Sequence, residues 1–161
     1  MGKFNNKCFG GCSPPRKWTL GRDLSYTSAD LTVDEIASLK GVGVKVKRDT
    51  SKTETITVPT GFVTDLASVP RAMWAFIAPF DVARAAIIHD LLYKTIRQYR
   101  WKMKDKEDAD LIAKAKKASD KVFYHAMKDA SPSVPHWKIY SSWKAVDLFG
   151  NSSIVPNKDN I

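Results

Sequence analysis

The chain is short of the residues that most often announce a chemistry. It has two cysteines in 161 residues, Cys8 and Cys12. That is too few for a structural zinc site or a disulfide framework. Set in Cys8-Phe-Gly-Gly-Cys12, they read as reduced thiols in a glycine-rich arm. The sharper alternatives are a labile disulfide or a backbone-amide nest for an anion across Gly10-Gly11. No apolar run approaches the ~20 residues of a membrane-spanning helix. The first residues carry no hydrophobic signal-type core, and Asn6 spoils a myristoylation motif at Gly2. Retention in a cytoplasm, or export inside a larger particle, is the expectation.

What is present is positive charge. Twenty-six Lys and Arg against 17 Asp and Glu give a formal net charge of +9, which favours anionic partners. No helix-turn-helix, zinc-finger or aromatic-platform signature accompanies it, so sequence-specific DNA binding is not expected. With 43% hydrophobic and 11% aromatic residues, the composition is that of a globular domain.

Patterning predicts an α+β fold, a small N-terminal antiparallel sheet followed by a C-terminal bundle of about four helices. Residues 1–16 read as a flexible arm, 17–150 as a single globular domain and 151–161 as a tail. Trp18 to Leu20 and Asp23 to Thr27 suggest short strands joined at Gly21. Thr32 with Glu35 three later forms a capping-box signature, for a short helix ending near Lys40-Gly41. Val44 to Arg48 and Thr53 to Val58 alternate as a hairpin does, with turn residues between them. Ser68-Val-Pro70 marks a helix start, for a short helix through Trp74 and Phe76 that ends before Pro79. Later helices are expected over about 81–100, apolar around most of its circumference, over about 105–128, and after Pro135. In the last, Trp137, Tyr140, Trp143, Val146 and Phe149 recur at core-like spacing, with Gly150 as the stop.

Three places could carry chemistry. In Ile87-Ile-His89-Asp90-Leu-Leu-Tyr93, His89 and Tyr93 share a helix face, and Asp90 is turned by about 100°. Such polar groups on a buried helix must be bonded, paired or metal-bound. They are either a structural brace or a base with its supports. Asp120, in Ser119-Asp-Lys-Val-Phe-Tyr124, comes beside His89 if the two helices pack antiparallel, and it then fixes the tautomer. The third place is Gly61 to Arg71. Its strand-to-helix corner offers Ser68 and Arg71 to an anion, with Asp65 as a structural or site residue. Locally, Ser68 is equally a cap, Asp65 a partner for loop amides and Arg71 a surface side chain. A shared polar pocket between this corner and the His89 helix is the spatial expectation.

The order Val-Pro-x-Gly-Phe-Val-Thr-Asp-x-Ala-Ser-Val-Pro-Arg, then His-Asp-x-Leu-Tyr, then Ser-Asp-x-x-Phe-x-x-Ala-Met, then an aromatic helix ending in Phe-Gly, resembles the DUF1353 family. The resemblance spans roughly residues 18–150, with a longer Ala/Lys-rich segment before Asp120. It implies a small protein encoded by tailed bacteriophages or prophages, with no settled activity. A more local resemblance links His89-Asp90-x-x-Tyr93 to the helix motif of calcium-dependent phospholipases A2. It implies His89 activating water, Asp90 on a calcium ion and Asp120 orienting the imidazole, although no recognisable glycine-rich calcium loop precedes the helix.

Three functions therefore stand side by side. One is a phage accessory or virion-associated (tail or particle) protein, in the host cytoplasm during infection or incorporated in the virion beside other phage structural proteins. The second is a metal-assisted hydrolase of an ester or phosphodiester, with His89, Asp120 and Tyr93 in the machinery. The third is a binder of a small anionic ligand such as a nucleotide, through Ser68 and Arg71.

Overall fold

The computed structural model describes residues 2–5, 10–13, 17–49, 52–64 and 79–161. The chain order is β1 (Lys3–Phe4), β2 (Gly10–Ser13), β3 (Lys17–Leu20), β4 (Leu24–Ser28), α1 (Val33–Gly41), β5 (Val46–Arg48), β6 (Glu54–Val58) and β7 (Val63–Thr64). Then come α2 (Pro79–Met103), α3 (Ala109–Lys128) and α4 (His136–Ser153). The expected α+β order, sheet first and helices after, holds.

The strands form two antiparallel sheets, ordered β1-β4-β6-β5 and β2-β3-β7. The β5–β6 hairpin forms where alternation placed it, with Val46 opposite Ile56 and Arg48 opposite Glu54. In the β4–β6 pair, Leu24 and Tyr26 face Val58 and Ile56 on the buried side. On the other side Ser25 bonds Thr57 at 2.8 Å and Thr27 bonds Thr55 at 2.9 Å, a hydroxyl ladder suited to the wetter face. The two short strands expected either side of Gly21 are β3 and β4, and each joins a different sheet. One expectation needs correcting. The arm expected over 1–16 supplies β1 and β2, whose backbones find partners on β4 and β3.

The capping box at α1 is present. Thr32 N donates to Glu35 Oε2 at 2.8 Å, and Glu35 N donates to Thr32 Oγ1 at 3.3 Å. α2 is central, as its all-round apolarity required, with Ala85, Ile88, Leu92 and Ile96 buried. It packs against β4 and β6 on one side and α3 on another, while α3 also receives α1 and α4. α3 begins later than expected. Lys104–Lys106 form a 3-10 turn, and Asp108 caps the new start by accepting from Leu111 N at 3.0 Å. At the far end of α3, Asp129 Oδ2 accepts from Gly2 N at 2.8 Å and from the Tyr26 hydroxyl at 2.7 Å, tying β1 and β4 to the helix.

α4 keeps Val146 buried and Trp143 half-buried against the core, as its spacing suggested, but turns the other three residues of the expected stripe outward. Trp137, Tyr140 and Phe149 are 57%, 58% and 65% exposed, whereas Ile139, Ser142, Ala145, Val146 and Gly150 are buried. The seam toward α3 must be narrow, because Tyr93 and Lys116 already fill the space facing Gly150. Large rings are therefore turned outward. Gly150 does not stop the helix, which continues to Ser153. Nor is the segment after 150 a frayed tail. Ile154 is buried, and Arg97 Nε donates to the Asn160 carbonyl at 2.8 Å.

Candidate functional site

α2 and α3 are joined by a short link and run antiparallel. Their contacts close in sequence from His89–Asp120 near the middle to Arg100–Glu107 near the turn. That register brings together the side chains singled out in the sequence. His89 Nε2 and Asp120 Oδ1 are 3.0 Å apart, and the Tyr93 hydroxyl donates to the same Oδ1 at 2.7 Å. The imidazole is fully buried and stacks obliquely on Tyr93, centroids 4.0 Å apart, and on Phe123, 4.8 Å apart.

Asp120 has a third partner that sequence reasoning missed. Lys116 Nζ donates to Asp120 Oδ2 at 2.8 Å, and also to the carbonyls of Val146 at 3.2 Å and Asp147 at 3.0 Å on α4. In the sequence Lys116 is one lysine of an Ala/Lys-rich run. The signal that singles it out is position: it stands four residues before Asp120, on the stripe of Ile112, Ala115 and Ser119.

The electrostatics follow from burial and these bonds. Burial pushes the Asp120 pKa upward, but the bonds from His89, Lys116 and Tyr93 outweigh it and hold the carboxyl below its ordinary value. His89 goes below its ordinary 6.5, chiefly because burial disfavours the imidazolium. Asp120 opposes that effect and Lys116 adds to it. Tyr93 is raised by burial and by the Asp120 charge, so its hydroxyl keeps its proton. The pair at neutral pH is thus an ionised carboxylate and a neutral imidazole. An ionised Asp120 only accepts, so Nε2 carries the ring proton and Nδ1 carries the lone pair. Nδ1 is buried and has no hydrogen-bond partner among the described residues.

Asp90, the next residue, points its carboxylate elsewhere. It accepts from the Thr64 hydroxyl at the end of β7. Asp90 and Thr64 both line a cavity of about 480 Å³. Asp65, Ser68 and Arg71 lie outside the described residues, as do Trp74, Phe76 and Cys8. Of the corner expected to meet the His89 helix, Thr64 is the last described residue, and it does reach Asp90. The calcium expected on Asp90 has little to hold it here. Among the described residues no three His, Cys, Asp or Glu side chains gather as a cation site. These residues do not fit a calcium ion, and no chemical step is drawn through one.

Residues 43–146 match the model of DUF1353, a protein family of unknown function. The chain belongs to the DUF1353 family. The matched span contains His89, Asp90, Tyr93, Lys116 and Asp120, so the buried cluster lies wholly within the DUF1353 region. No curated protein and no solved structure matches the chain. Among the described residues, no helix is long and apolar enough to cross a membrane.

Proposed function

We propose that this DUF1353 protein is a bacteriophage-encoded accessory hydrolase in which His89 is the general base and Asp120 its orienting carboxylate, acting on an ester or phosphodiester. One observation carries the reading. A purely structural histidine uses both ring nitrogens, because leaving one buried and unpaired costs about 1–3 kcal/mol. Here Nε2 is fixed on Asp120, whereas Nδ1 is left with a lone pair and no partner among the described residues.

In this reading a water molecule donates to Nδ1 and attacks the carbonyl carbon or phosphorus of the substrate. Its proton passes to Nδ1, and Asp120 stabilises the imidazolium through Nε2–H. The same proton then leaves with the alcohol oxygen as the ester bond breaks, and His89 returns to neutral. Tyr93 and Lys116 act by positioning: they hold Asp120 in one rotamer and keep it ionised. The cavity walled by Asp90 lies one residue further along α2, and His89 itself does not line it.

The test is turnover of p-nitrophenyl acetate and bis(p-nitrophenyl) phosphate by the purified protein. Turnover of at least one is expected, with kcat reduced about 100-fold or more in His89→Gln. Failure to turn over either substrate, or undiminished turnover by the variant, overturns the reading.

A particle-associated role has its own support. Trp137 and Tyr140 stand exposed on α4, more apolar surface than a solitary helix face needs. Co-sedimentation with purified virions, reduced in a Trp137→Ala/Tyr140→Ala variant, is the expected result. Absence of the protein from virions counts against it.

A further inference from the structure

Helix α2 contributes Asp90, Lys94 and Arg97 to the cavity. Asp90, Lys94 and Arg97 follow at spacings of four and three, so they share one face of the helix. At 1.5 Å rise per residue, Lys94 lies about 6 Å and Arg97 about 10 Å along the axis from Asp90. The remaining wall comes from Lys17 on β3, from Phe62, and from residues near the C-terminal end of the described chain. Polarity therefore changes along the cavity. At one end is the Asp90 carboxylate with the Thr64 hydroxyl, and cationic groups stand one and two helical turns away.

We infer that this cavity holds an anionic group of the substrate, a phosphate or carboxylate, on Lys94 and Lys17. That places the group about one helical turn along α2 from Asp90. Arg97 has a different share in this. Its Nε and Nη1 donate to the carbonyls of Asn160 at 2.8 Å and Ser153 at 3.0 Å, so it pins the C-terminal wall while adding its charge. Lys94 stands over the Phe62 ring, 5.7 Å from its centroid, which gives the ligand an apolar surface beside the ammonium. Asp159 also reaches the wall and offsets part of the field. Among the described lining residues, the Lys17, Lys94 and Arg97 side chains stand against those of Asp90 and Asp159, and the volume falls within the roughly 300–1,000 Å³ of small-molecule sites. The assignment of this anion to a substrate rests on the hydrolase reading; the anion site itself does not.

Isothermal titration calorimetry with inorganic pyrophosphate at low salt separates the two, because it needs no turnover. Saturable one-site binding by the wild type is expected. Lys94→Gln and Lys17→Gln should each weaken it tenfold or more, and Lys94→Arg should restore most of it. Lys102→Gln removes the same charge from an exposed position near the end of α2 and should leave binding intact. No saturable binding by the wild type, or equal loss in Lys102→Gln, overturns the site. If turnover exists, p-nitrophenyl hemisuccinate should have a lower KM than neutral p-nitrophenyl butyrate, and Lys94→Gln should narrow that gap. An unchanged gap refutes the substrate assignment even where pyrophosphate binds.

Discussion

The Tyr93 hydroxyl stands where a side chain at residue 150 would begin. A Cβ on Gly150 would collide with it and would lie 3.2 Å from Lys116 Cε. The glycine is therefore required by the bond from Tyr93 to Asp120, not by the end of the helix.

Gly150→Ala should destabilise the fold by about 1–3 kcal/mol, as overpacking does. Tyr93→Phe in the same chain should recover part of the loss, because it removes the colliding oxygen. Chemical denaturation of the two single variants and the double variant measures this as a coupling. Strictly additive losses would refute the contact.

Lys116→Met should remove about 3–5 kcal/mol of stability, because Asp120 keeps a buried charge without its cation. The same change lifts the repulsion that Lys116 exerts on the imidazolium, so the His89 pKa should rise. An NMR titration of the imidazole reads that shift, and a fall instead would contradict the assigned geometry.

Stability should decline as pH falls below the ordinary imidazole value of 6.5. Folding lowers the proton affinity of His89. Between 6.5 and the folded value, the unfolded chain therefore binds a proton that the folded chain does not. The stabilisation is complete above 6.5 and shrinks in acid. His125 is shifted in the same direction, so the melting temperature should be followed against pH in both wild type and His89→Gln. The variant should show a shallower decline; an identical one would exclude His89 as a source.

Trp137→Ala and Tyr140→Ala should each leave stability within about 0.5 kcal/mol of the wild type, since both rings face outward. A loss of several kcal/mol on thermal denaturation would return them to the core.

The cluster was legible where helical geometry alone decides contacts. Four-residue spacing put His89 and Tyr93 on one face, and an antiparallel hairpin was enough to bring Asp120 to them. Lys116 was not legible, because a buried lysine differs from its solvated neighbours only through where it lands. The aromatic residues of α4 misled in part, for a related reason. Their three-and-four spacing defines a stripe but not which way it faces, and the narrow seam against Tyr93 and Lys116 decided that. β1 escaped notice because its strand partners, Tyr26 and Thr27, lie elsewhere in the chain. β2 did so because its Gly-Gly-Cys-Ser run lacks strand-like alternation, although it pairs with the next strand, Lys17 to Leu20.

One ammonium, that of Lys116, grips both the dyad carboxylate and the main chain of α4. Seating of the outermost helix and basicity of the innermost imidazole are consequently a single linked equilibrium. Anything that leans on the exposed rings hard enough to lift α4 retunes His89, and loading a proton onto His89 loosens α4 to the same extent in free energy.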